Sequence, residues 1–138
     1  MRAFSIALGL VLAMNFAAQA QEKVTSQTIL KTDKTAIGQP VAFPHSHAAV
    51  TASTVTLAAN ADTGWHKHPY LRYAYVLEGS ITVENDHGAK QTYPTGSFIV
   101  EQIDSWHHGL TTEPTKLLVI DQTPAGKANT INRVDRQH

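Results

Sequence analysis

From Val41 onward the chain is written in short apolar or alternating runs separated by turn residues, and a helical period is nowhere sustained. The spacing predicts strands at Val50–Ala58, Tyr73–Leu77, Ile81–Glu84, Ser97–Glu101, Trp106–Leu110 and Lys116–Asp121. Turns are signalled by Glu78-Gly79-Ser80, by Asn85-Asp86-His87-Gly88, by Pro94-Thr95-Gly96 and by Thr112-Glu113-Pro114. Strands this short, punctuated this regularly, imply an all-β sandwich or barrel. Residues 21–40 are polar and weakly patterned, which predicts an exposed arm or edge strand, and Gly126–His138 carries no clear pattern.

The balance of residues narrows the partners. With 138 residues, 42% hydrophobic and 16% charged, the chain suits one folded domain rather than a disordered tail. Eleven Lys and Arg offset eleven Asp and Glu, and no basic run occurs, so the electrostatic footprint of a nucleic-acid binder is missing. There is no cysteine, which excludes thiolate chemistry, Cys-based zinc sites and disulfides.

The first twenty residues read as a signal peptide: Met1-Arg2 is a positive start, Ala3–Ala17 is mostly apolar, and Ala18-Gln19-Ala20 fits a cleavage site before Gln21. The apolar run is too short, and too broken by Ser5, Gly9 and Asn15, to favour a membrane anchor, which needs about 20 apolar residues. Residues 21–138 are then expected as a single domain, periplasmic or secreted, with no membrane segment in the mature form.

In Gly64-Trp65-His66-Lys67-His68, two histidines stand at i and i+2. In an extended segment that spacing points both imidazoles to one face, and Trp65 and Lys67 to the other. Two ligands do not hold a metal well; a third is offered by His107, beyond the turn at Pro94-Thr95-Gly96.

Residues 64–79, GWHKHPYLRYAYVLEG, resemble the first motif of the cupins, and residues 94–107, PTGSFIVEQIDSWH, resemble the second, with His107 eleven residues beyond Gly96. The two motifs stand in the family's order. The resemblance implies a double-stranded β-helix, a jelly-roll barrel with its core at about 41–122. It also implies one metal in the barrel mouth, and often a homodimer. The family's acidic ligand falls on Arg72, seven residues before Gly79, and an arginine cannot bind a cation. Gln102, Asp104 and Thr111 replace the proline, glycine and asparagine frequent in the second motif.

The expected ligand set is therefore His66, His68 and His107, with coordination positions open to water or a small-molecule substrate. Imidazoles suit Zn, Fe, Cu or Ni, and a site lacking a protein carboxylate should disfavour Mn. Arg72 either clamps an anionic substrate bidentately or lies over the barrel rim. Glu101, ending Ser-Phe-Ile-Val-Glu, reads as a general base or as a partner for an imidazole N–H, with a plain strand-end charge as the alternative.

Of the remaining histidines, His108 faces away from His107 by strand parity, His87 and His138 read as surface groups, and His45 and His47 repeat the H-x-H spacing in a loop. Tyr70, Tyr73 and Tyr75 either line the cavity or pack. No nucleophile elbow, P-loop or dinucleotide fingerprint occurs. These residues fit a metalloenzyme of oxygenase, isomerase or hydrolase type, or a binding module that does no chemistry. Fold alone cannot choose between them.

Overall fold

Among the described residues nine antiparallel strands form: β1 Ala48–Leu57, β2 His66–Lys67, β3 Leu71–Glu78, β4 Ser80–Asn85, β5 Lys90–Pro94, β6 Phe98–Val100, β7 His107–Leu110, β8 Thr115–Pro124 and β9 Ile131–Asn132. The computed structural model describes residues 26–42, 45 and 47–134, so the expected signal peptide and His138 lie outside the described residues. No helix among those residues is long and apolar enough to cross a membrane.

One sheet has the order β1-β8-β3-β6 and the other β5-β4-β7-β2-β9, which is the jelly roll that the strand pattern and the motifs imply. All six expected strands are present with ends shifted by up to three residues. Three were not foreseen. β5, KQTYP, is a polar edge whose alternation is hidden because little of it is buried. β2 and β9 are two residues each and exist only through tertiary pairing with one another and with β7.

Alternation in β3 and β8 sends Ala74, Val76, Leu117 and Val119 inward, where they meet Ile81 and Ile99 in one apolar cluster. Burying a side chain such as Val76 contributes roughly 1.5–3 kcal/mol. The same parity turns Arg72 inward from β3, at the end of the barrel where the histidines lie. Tyr73 is sent outward onto Phe98, with ring centroids 5.9 Å apart.

The β3–β4 connection turns on Gly79, whose φ of 75° lies in the left-handed region and whose missing side chain leaves room for the Pro114 carbonyl. Residues 26–40 are an exposed arm, as expected, except that Thr35 and Gln39 tie a turn to the barrel. Gln39 Nε2 donates to the Ile103 carbonyl at 2.8 Å, and Ala36 N donates to that of Val100 at 2.8 Å.

Candidate metal centre

His66 and His107 face each other directly in the β2–β7 register, and His68 follows one residue past β2. A bridge to Ile103 and a 2.7 Å hydrogen bond from Asp104 N to the His68 carbonyl hold that residue in place. The result is a ring of three imidazoles with centroids 4.5–5.0 Å apart, each offering one nitrogen within 4.8 Å of the other two. It is the only such cluster among the described residues, and His45 and His47 join no other.

The tautomers follow from the partners. His66 Nδ1 lies 2.8 Å from the Gly64 carbonyl, His68 Nδ1 2.6 Å from that of Asn129, and His107 Nδ1 2.9 Å from that of Ser105. A carbonyl only accepts, so each Nδ1 carries the proton and each Nε2 presents a lone pair. This is how metal-ligating histidines are oriented.

Two further observations show that these residues fit a cation. His107 Nε2 is buried and has no hydrogen-bond partner. Glu101 Oε2 approaches His68 Nε2 to 3.1 Å and His107 Nε2 to 3.5 Å, an approach of acceptor to acceptor that needs a proton or a metal ion between them. Burial works to raise the Glu101 carboxyl. Where a proton is shared across those contacts, it and the charge of Arg72 outweigh burial and hold the carboxyl well below the usual carboxylate range.

This overturns the expectation of a site without protein charge. With no carboxylate at position 72, the one beside the triad comes from the residue after β6: Glu101 N donates to the Arg72 carbonyl at 2.9 Å across the β3–β6 edge. The ground for setting Mn aside goes with it.

Arg72 also departs from the sequence reading. It points inward rather than over the rim, but Asp121 already takes its bidentate fork, at 2.7 Å from Nε and 3.0 Å from Nη2. Nη1 alone reaches the triad, 3.3 Å from His68 Nε2.

Burial chiefly, with the charges of His107 and His68, pushes the His66 pKa down to about 4 against the hydrogen bond at Gly64. An unfolded histidine titrates near 6.5, so between about 6.5 and 4 the unfolded chain takes up a proton that the folded one refuses. The stability of the metal-free protein is thus expected to be complete above about pH 6.5 and to decline as pH falls toward 4. Urea midpoints in a chelator at pH 7 and pH 5 measure this, and His66→Asn should flatten the slope. An equal slope in that variant would locate the effect elsewhere.

Parity holds for the neighbours. Lys67 pairs with Asp104 at 2.6 Å on the outer side, and Trp106 packs beneath the cations of Lys67 and Arg133. His108 turns away from the triad, as its parity implies. It is buried under Trp65, with rings stacked 4.3 Å apart, and lies 3.0 Å from Asp62 and 3.3 Å from Glu84. His87 is exposed, as expected.

The family departures resolve locally. Asp104 takes a φ of 52°, a conformation that Asp tolerates better than most residues. Thr111 donates to the Ala58 carbonyl at 2.7 Å and accepts from Ala61 N at 3.1 Å.

Two cavities flank the triad. One, of about 90 Å³ in the barrel interior, is lined by His66, Arg72, Glu101 and His107 and walled by Val55, Leu57 and Leu117 among others. The second, of about 130 Å³, lies between the β4–β5 hairpin and the arm, against the opposite side of Glu101 and His107. Of the tyrosines, neither Tyr70, Tyr73 nor Tyr75 borders these spaces; Tyr93 lines the second. Burial, with the charge of Glu101 adding to it, raises the Tyr93 hydroxyl pKa.

Asn129 was missed altogether. Its carbonyl takes His68 Nδ1, its amide nitrogen donates to Asp121 at 2.6 Å, and its amide oxygen accepts from Tyr70 N at 2.8 Å. No local signal marks a residue that acts 61 positions from its partner.

The fold and the histidine cluster together define a cupin, and the cupin domain family profile matches residues 53–121. The chain belongs to that family. Among solved structures it is similar to the dimethylsulfoniopropionate (DMSP) lyase DddQ from Ruegeria pomeroyi, at 17% identity and a TM-score of 0.56 over 73% of this chain and 49% of that one. It is also similar to the polyketide cyclase RemF from Streptomyces resistomycificus, at 20% identity and a TM-score of 0.52 over 62% of this chain and 63% of that one. A third is an RmlC-like cupin from Shewanella frigidimarina, at 18% identity and a TM-score of 0.50 over 56% and 68%. At these identities the likeness concerns the fold alone. Among curated proteins none matches the sequence.

Proposed function

We propose that this cupin is a metal-dependent enzyme acting on a small molecule. His66, His68 and His107 would hold one divalent transition metal, with Glu101 as the protein carboxylate at the site. The observation that carries the reading is the tying of all three Nδ1 atoms to backbone carbonyls, which turns three lone pairs toward one point. A metal bound there would act as a Lewis acid on a substrate oxygen.

The chain's own contribution is a Glu101 carboxylate bordering both cavities, able to take or return a proton. Arg72, fixed by Asp121, adds positive charge through Nη1. That two fold neighbours are a lyase and a cyclase supports the barrel as a scaffold for chemistry.

The apolar walls of the interior cavity favour a second reading, a non-catalytic binding module, since few acid–base groups beyond Glu101 reach it. Metal content of the untagged chain, measured by plasma mass spectrometry, tests the first reading. About one ion per chain is expected, and none after supplying Zn, Fe, Cu, Ni and Mn would end the metalloenzyme reading and leave a ligand-binding barrel. Substrate-independent release of a proton or product from a panel of small carboxylates and carbonyl compounds would not count. Turnover that disappears in Glu101→Gln, with the metal retained, separates enzyme from binding module.

We also propose a homodimer through β1. This edge strand of ten residues has no charge, proline or bulge to protect it, and Val50 on it is 66% exposed. Pairing with a second copy across a two-fold axis would cover it. Light scattering should find a dimer that Val50→Lys dissociates; a wild-type monomer would refute it. Export to the periplasm or medium is proposed on the leader-like residues 1–20, and the N-terminal residue of the protein recovered from each fraction tests that.

A further inference from the structure

Gln102 is the residue that stands in place of the family's frequent proline, directly after Glu101. It is 4% exposed, and its Nε2 has no hydrogen-bond partner. Among the described residues only one other buried side-chain nitrogen or oxygen is in that condition, His107 Nε2, and both residues line the cavity of about 130 Å³. Buried polar groups in native proteins are almost always paired, so an orphaned donor on a side chain that lines a cavity points to an acceptor held there. The wall is mixed: Ala36, Ile37, Val83 and Ile99 form an apolar stretch, Asn85, Lys90, Gln91 and Tyr93 a polar one along the β4–β5 hairpin, and Glu101 and His107 the side toward the triad.

We propose that this cavity is the substrate pocket and that Gln102 Nε2 donates to a carbonyl or carboxylate oxygen of the bound molecule. The apolar wall then takes a short carbon chain. A cavity of about 150 Å³ holds a molecule the size of benzene, so a space of this volume suits about six non-hydrogen atoms. Gln102 thereby selects for an acceptor oxygen and rejects a molecule that offers only donors, because two donors cannot satisfy each other. The inference rests on the metal reading for the placing of chemistry beside the pocket, but not for the binding itself.

The side-chain amide of Gln102 gives its own pair of signals in a ¹⁵N-correlated NMR spectrum of the labelled full chain, assigned by their loss in Gln102→Leu. Titration with butanoate or butanone is expected to move that pair, and titration with butan-1-amine is expected not to. Whichever acceptor compound moves it identifies the oxygen as carboxylate or neutral carbonyl. Gln102→Leu, and the nearly isosteric Gln102→Glu, should each weaken its binding by about tenfold, as expected for a lost hydrogen bond. Metal content should be unchanged in both.

If the pair stays still with both acceptor compounds, or if both variants bind as the wild type does, the proposal is overturned. Movement in a protein that takes up no metal would refute the metal reading and leave the pocket standing. A metal-loaded chain whose Gln102 signals never respond would do the reverse.

Discussion

Replacing His107 by alanine is expected to leave a folded chain that no longer takes up a metal. Outer-sphere changes around bound metals cost 10- to 100-fold in affinity, and removing a ligand should exceed about 100-fold. The readout is thermodynamic: a metal at 100 times its dissociation constant adds about 2.7 kcal/mol of stability, roughly 10 °C in melting temperature for a chain of this size. That increment should be absent in His107→Ala.

In a chelator the same variant should differ only modestly from wild type. The packing lost with the ring is opposed by removal of a buried nitrogen that has no partner. His87→Ala, at a side chain 86% exposed, should keep the full metal increment. A His107→Ala chain that gains as much from metal as wild type would show that the triad is not where the ion sits.

The second large effect is expected at Gly79. Alanine there would carry a φ of 75° and place its Cβ against the Pro114 carbonyl and 2.7 Å from Thr115 Oγ1. Thr115 is 1% exposed, and its hydroxyl donates to the Ser80 carbonyl at 2.8 Å, so the methyl group would wedge apart the start of β4 and the start of β8. The left-handed conformation costs about 1–2 kcal/mol and the clash a further 1–3 kcal/mol, a sizeable part of the ~5–15 kcal/mol that holds a domain folded.

Gly88→Ala is the control, because φ is 80° there too but a Cβ would meet nothing within 4 Å. Urea midpoints should fall in both variants and much further in Gly79→Ala. Equal falls would mean that the backbone conformation alone requires the glycine.

Much of the centre was legible because its parts obey local rules. The i, i+2 spacing of His66 and His68 and the parity at Trp65, Lys67 and His108 follow from the period of a strand, which holds whatever the strand packs against. The choice of His107, by contrast, leaned on family spacing.

What could not be read depends on contacts between distant segments. Glu101 reads both as a base or imidazole partner and as a strand-end charge, and the β3–β6 register is what brings it beside Arg72 and the triad. The fork of Arg72 looked free because Asp121 lies 49 residues away on β8. Gln102 was visible as a departure from the family's pattern. That its amide is left unpaired depends on everything packed around it.

The tie between His68 and the Asn129 carbonyl, together with the pairing of β9 to β2, means that a ribosome cannot build this centre piecemeal. A nascent chain that has exposed all three histidines still lacks the segment that fixes the ring of the second. Until that segment docks, the imidazoles are free to chelate in other geometries. An ion held there would thus be selected only at the last stage of maturation, after synthesis has passed residue 132, and the compartment the chain occupies at that moment would set the metals it can choose from.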